Sequence, residues 1–204
     1  MKESQEKNPA NLLLIEIVAR MRVWLDRAEA CIDQLDEAHM WYRPNASSNA
    51  IGNLVLHLVG NLRQWILGGI GNQPDTRDRP AEFAAKTGHS KGQLISLLHD
   101  AVEQSCDVIG KLATNRIMER KLIQGEDVTN AYALVMAVSH LGLHVGVRCV
   151  THRHPRERRG ARPLQPAHRP GGATARHSPR LARDREARIH AAIWRPVRRL
   201  PLAS

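Results

Sequence analysis

Apolar residues in this chain return every three or four positions through four separate stretches, and nowhere do they alternate in twos between turns. That spacing is the signature of helices with one buried face, and it leaves little room for a sheet. The first stretch covers residues 8–35, where Leu12, Ile15, Ala19 and Val23 form a stripe that continues through Ile32 and Leu35. A connector at residues 43–48, rich in Pro, Asn and Ser, suits a loop, and Ser48 or Asn49 is the expected N-cap of the next helix. The second helix is expected over residues 50–67, with Ile51, Leu54, Leu58, Leu62, Trp65 and Ile66 on its apolar face. Gly68-Gly69 and then Gly71-Asn72-Gln73-Pro74 are read as its end.

A charged loop at residues 75–80 follows. The third helix is expected over residues 90–112 (Leu94, Leu97, Leu98, Ala101, Val102, Val108, Ile109), and the fourth begins near Thr129 (Ala133, Leu134, Ala137, Val138, Leu141, Val145). Only 3% of the chain is aromatic, so the core must be built mainly from Leu, Ile, Val and Ala. The expected fold is all-α, an antiparallel four-helix bundle.

The net charge of +10 suggests a nucleic-acid binder until its distribution is considered. Residues 1–146 carry 15 Lys and Arg against 17 Asp and Glu, whereas residues 147–204 carry 15 Arg, no Lys and 3 acids. The body is near neutral, and the basicity belongs to a stretch without apolar periodicity in which proline recurs seven times. Such a segment buries too little surface to offset its ordering entropy. The chain is accordingly divided into a bundle over residues 1–148 and a basic, low-order tail over residues 149–204.

The N-terminus is charged and lacks the apolar run of a signal peptide, and no stretch is long and apolar enough to span a bilayer. Cys31, Cys106 and Cys149 lie far apart without a C-x-x-C spacing, so free thiols in a reducing cytoplasm are expected.

The chemistry resides in histidines. His140-Leu141-Gly142-Leu143-His144 places two imidazoles one helical turn apart on one face, near enough to grip one ion. The H-x-x-x-H lacks the glutamate of the H-E-x-x-H zincin motif, and taken alone it is a weak signal. His57 lies in an otherwise apolar helical surface and faces the bundle interior or its border. Helical bundles build metal sites from facing helices, and three imidazoles from two helices leave coordination positions open, as reactive sites do. The alternative for each histidine is a hydrogen-bonded core residue.

One block carries a resemblance. It reads Trp41-Tyr42-Arg43-Pro44-Asn45, then Asn49-Ala50-Ile51-Gly52-Asn53-Leu54-Val55-Leu56-His57-Leu58, then Gly60-Asn61-Leu62-Arg63-Gln64-Trp65-Ile66, and closes with Pro74-Asp75-Thr76-Arg77-Asp78-Arg79-Pro80-Ala81-Glu82-Phe83. It resembles a branch of the DinB-like superfamily, and the resemblance extends over residues 10–146. It implies the DinB/YfiT-like metalloenzyme fold and a metal triad of one His on the second helix and an H-x-x-x-H on the fourth, matching His57, His140 and His144. It further implies a divalent ion, zinc or nickel foremost, a homodimer, and kinship with bacillithiol transferases and the mycothiol-dependent maleylpyruvate isomerase. The family continues His-x-Gly-Gln into an apolar helix end, whereas this chain has His144-Val145-Gly146-Val147-Arg148-Cys149 and then the arginine-rich tail. That departure is read as out-of-frame translation from near Gly146, in preference to a nucleic-acid-binding arm.

The expected function is that of a metal-dependent enzyme on small molecules, a thiol S-transferase or a hydrolase. A non-catalytic metal-binding stress protein is the alternative. Asn53, Asn61 and Gln64, one turn either side of His57, are candidate supporting residues; Arg77, Arg79 and Glu82 are expected to pair with one another or line a loop over the site. Trp24, Trp41 and Trp65 are expected to pack.

Overall fold

The computed structural model describes residues 8–43, 45 and 48–151, with side chains through residue 146. The chain divides into two units, Met1–Arg159 and Gly160–Ser204, and every described residue belongs to the first. Beyond residue 151 the expected tail lies outside the described residues.

Helix α1 (Pro9–Asp33) starts at Asn8, whose side chain accepts from the Ala10 N–H, with Pro9 in the first turn where its missing N–H costs nothing. Its buried face is Leu14, Ile17, Met21, Leu25, Ala28 and Ile32. This corrects the expected stripe: Leu12 and Ile15 are about half exposed, and Ala19 and Val23 also face outward. The run Leu12-Leu13-Leu14-Ile15 is apolar all round the helix, so local spacing fits more than one face and packing selects one.

Helix α2 (Ile51–Leu62) is capped at Ala50, not at Ser48 or Asn49. Alanine has no acceptor to offer; instead Asn53 reaches back to accept from the Ala50 N–H at 3.1 Å. The six apolar residues expected on its core face are all buried. Gly68 and Gly69 do not end it. The helix widens into a π-helical segment, Arg63–Ile70, closed by Gly71 N–H donating to the Ile66 carbonyl five residues back. The space at Gly69 admits a neighbour: a Cβ there would overlap the Ile123 side chain.

A short helix α3 (Arg79–Ala84) precedes α4 (Lys91–Gly110). Helix α4 opens with a capping box, in which Ser90 Oγ accepts from Gln93 N–H and Gln93 Oε1 from Ser90 N–H. Strands β1 (Arg120–Ile123) and β2 (Glu126–Thr129) form an antiparallel hairpin whose turn, Gln124-Gly125, has φ of 54° and 80°. Two left-handed residues are what a two-residue hairpin turn prefers. The hairpin was not anticipated, because Leu122 points outward while Ile123 is buried and the turn lacks the usual Asn-Gly. Helix α5 (Asn130–Thr151) completes the bundle.

The helix directions matter for the site. Arg22–Glu103 and Glu29–His99 pairs tie α1 to an antiparallel α4, and His57–His140 with Trp65–Tyr132 do the same for α2 and α5. Helices α2 and α4, however, run parallel: their starts meet through Trp41 and His89, and their ends through Gly71 and Val108. Residues 72–90 must therefore travel back along the whole of α2. Contacts Gln64–Asp75, His57–Glu82, Asn53–Ala85 and Trp41–His89 trace that return in order.

No helix among the described residues is long and apolar enough to cross a membrane. Cys106 is a buried free thiol, pushed up to about 11 by burial and therefore protonated at neutral pH. Cys31 corrects the expectation of free thiols, since it is disulfide-bonded.

Candidate metal centre

His57 on α2 meets His140 and His144 on α5. The ring centroids of His57 lie 5.0 Å from His140 and 5.3 Å from His144, and the two α5 rings are 4.5 Å apart. One ring nitrogen from each falls within 4.8 Å of the others. His57 and His140 are buried, and His144 is half-buried at the border of the site. All three residues expected from the sequence are thus brought together.

The nitrogens have the right character for a cation. His57 Nδ1 lies 3.0 Å from Glu82 Oε2, and its Nε2 lies 3.0 Å from His140 Nε2. Arg77 Nη2, an obligate donor, also lies 3.0 Å from Nδ1, but it is committed to Glu82 Oε2 at 2.9 Å; with Nδ1–H donating to the carboxylate, which can only accept, Nε2 presents its lone pair to the other imidazoles. A carboxylate behind a histidine ligand is the usual support of a metal-binding imidazole, fixing tautomer and ring orientation. The donor set fits one divalent ion held by His57, His140 and His144, with bonds of about 2.0–2.1 Å in the case of zinc.

Glu82 is itself held. Arg77 Nε and Nη2 donate to its two oxygens at 2.7 and 2.9 Å, and both side chains are more than nine-tenths buried. Burial alone would push the Glu82 carboxyl up; hydrogen bonds from His57 and Arg77, with the charge of the guanidinium, outweigh it and hold the group below the usual carboxylate range. Arg77 and Glu82 therefore do both things expected of them, pairing with each other and lining the site. Arg79 instead stacks on Phe83, whose ring packs against His57 at 4.9 Å between centroids.

The sequence did carry a signal for this arrangement. Asp78-Arg79-Pro80 reads as a helix start, and Asp78 Oδ1 accepts from Ala81 N–H, so one rigid turn delivers Glu82. Asn53 and Arg43 pin the same segment. Asn53 Nδ2 donates to the Glu82 and Ala85 carbonyls, and Arg43 bonds Asn53, Phe83 and Ala85. Gln64 bonds Asp75 and Arg77. Asn61 is 1% exposed, one turn beyond His57 on the same helix face, and its Nδ2 has no hydrogen-bond partner among the described residues. The tryptophans expected to pack do so: Trp65 is buried, Trp41 covers Gly52 and Trp24 covers Gly142.

Gly60 leaves room for the carboxylate. A Cβ there would overlap Glu82 Oε1 and stand 2.9 Å from Arg77 Nε. Alanine normally gains about 1 kcal/mol over glycine inside a helix. Gly60→Ala is nevertheless expected to lower stability by about 1–3 kcal/mol through overpacking and to weaken metal binding about tenfold by displacing Glu82. Thermal denaturation with metal titration checks both; a higher melting temperature with unchanged binding would remove the steric argument.

The profile of the family described as "Protein of unknown function (DUF1572)" matches residues 8–157. A DinB-like protein (YjoA) from Bacillus subtilis superposes with a TM-score of 0.52 at 17% identity, covering 68% of this chain and 92% of that one. A DinB-like protein from Bacillus cereus ATCC 10987 gives 0.51 at 15% identity, covering 66% and 85%. At such identities the likeness is one of fold. No curated protein matches the chain. With its profile match over most of the sequence, the chain belongs to the DUF1572 family, and it shares its helical-bundle fold with these DinB-like proteins.

Proposed function

We propose that this protein is a divalent-metal-dependent enzyme acting on small molecules, transferring a low-molecular-weight thiol to an electrophile or hydrolysing one, with zinc or nickel at His57, His140 and His144. The observation that carries the reading is the His57–Glu82 hydrogen bond. A buried carboxylate orienting one of the three histidines that meet among the described residues supports a ligand set that is positioned yet incomplete, as reactive sites are. When bound, the ion supplies a positive charge that lowers the pKa of a coordinated thiol or water. The protein's own residues do the rest. Glu82 and Arg77 hold His57 in one tautomer, the apolar walls of α2 and α5 limit water, and Asn61 Nδ2, without a partner among the described residues, offers a donor to a polar substrate atom.

The test is thiol consumption. Cysteine and 1-chloro-2,4-dinitrobenzene are incubated with zinc- or nickel-loaded protein. In the reaction followed, the thiolate sulfur forms the S–C bond, chloride leaves with its electron pair, and the thiol proton passes to buffer. The expected result is turnover above the buffer rate that chelation removes and metal restores. A rate equal to that of buffer, with metal bound, would leave a metal-binding protein without transferase chemistry; a panel of activated esters then decides hydrolysis in the same way.

A further inference from the structure

We infer that Gln124, in the turn of the β-hairpin, is a positioning residue for the metal site, acting through Arg77. The inference rests on the metal-centre reading above. Gln124 stands 60 residues from Gln64 in sequence, yet its side-chain amide abuts the Gln64 amide. The same end of the amide faces Trp65 Nε1 at 2.9 Å and Arg77 Nη1 at 3.2 Å. Both are obligate donors, so the atom they face is the amide oxygen. Arg77 is then held at Nη1 by the Gln124 oxygen and at Nε and Nη2 by Glu82. Glu82 in turn fixes His57. A continuous chain of hydrogen bonds runs from the hairpin turn to His57 Nδ1, across the ring from the nitrogen that faces the other imidazoles.

A second observation points the same way. Gln124 has φ of 54°, a left-handed conformation that glycine or asparagine adopts far more readily than glutamine. The hairpin turn alone gives no reason for glutamine there; a long side chain that reaches Trp65 and Arg77 does. Residues held in sparsely populated backbone conformations cluster where the surrounding structure uses them.

This makes stability and metal binding separable. Gln124→Gly relieves the backbone and deletes the amide. Val128→Ala trims a buried residue of the neighbouring strand that takes no part in the chain of bonds. Zn2+ affinity is measured for full-length wild type and both variants by competition with a chromophoric chelator, beside the melting temperature of each metal-free protein. Gln124 is exposed and acts at one remove, so the expected loss is below that of a direct ligand partner: about three- to tenfold weaker Zn2+ binding for Gln124→Gly, with a melting temperature equal to or above wild type. Val128→Ala is expected to melt lower and bind Zn2+ as wild type does. Unchanged affinity in Gln124→Gly, or an equal loss in Val128→Ala, would overturn the inference. Failure of wild type to bind Zn2+ or Ni2+ would end the metal reading itself, a result distinct from either.

Discussion

His140→Ala is expected to weaken Zn2+ or Ni2+ binding by more than about 100-fold, beyond the range seen when an outer-shell partner is lost. The reason is geometric. His140 Nε2 faces His57 Nε2 at 3.0 Å in a buried setting, so it is the nearest of the α5 nitrogens shown against the lone pair that Glu82 orients. Removing it leaves two ligands, one of them at the border of the site. The fold should survive, because Leu141, Ala137 and Val145 keep α5 in the core. The metal-dependent part of stability should vanish: an ion at 100 times its Kd adds about 2.7 kcal/mol to the native state, and this increment should be absent in the variant. Elemental analysis and melting curves with and without metal give the answer. Equal metal content in wild type and variant would remove His140 from the site.

Glu82→Ala is expected to damage both fold and site. Arg77 is 4% exposed and has Glu82 as its ion-pair partner, so the variant leaves a guanidinium buried without a countercharge. Breaking a buried pair from one side costs about 3–5 kcal/mol. The same change frees the His57 ring to rotate and to take the other tautomer, at a cost of about 10–100-fold in metal affinity. A double variant separates the two effects. Glu82→Ala with Arg77→Met removes both charges and should recover much of the stability, while metal binding stays weak. Recovery of binding in the double variant would show that Glu82 acts on the fold and not on His57.

The sign of the pH dependence follows from the same pair. The Glu82 carboxyl lies below its ordinary range in the native state, so its stabilisation is present above the unfolded-state value and fades as pH falls through the native one. Glu82→Gln should lose that component of the acid sensitivity, as measured by denaturant unfolding across the acidic range.

Much of the bundle was legible because helical periodicity is a local property. Helix α2 reads correctly, since the expected Ile51, Leu54, Leu58 and Leu62 are buried, and Val55 and Val59 are buried beside them, so almost any face chosen there is a core face. Helix α1 does not, since its first turns are apolar on several sides, and only packing chose Leu14 and Ile17 over Leu12 and Ile15. The hairpin escaped for a related reason: strands of four residues, with one inward apolar side chain each, have too little pattern to announce themselves. The histidines were legible as residue types, two at a helical spacing and His57 in an apolar helical surface, and the resemblance tied the three into one set.

By itself, then, the sequence determined where the four long helices lie and that His140 and His144 share a face, for both follow from residues a few positions apart. Tertiary structure decided the rest of the centre. Glu82 is 25 residues from His57, His140 is 83, and the hairpin turn is 60 from Gln64. These groups meet because α2 and α4 run parallel and the connecting chain must return along α2, laying Arg77 and Glu82 against His57. The direction of a helix in a bundle is settled by packing energy summed over many residues, and no short stretch of sequence encodes it.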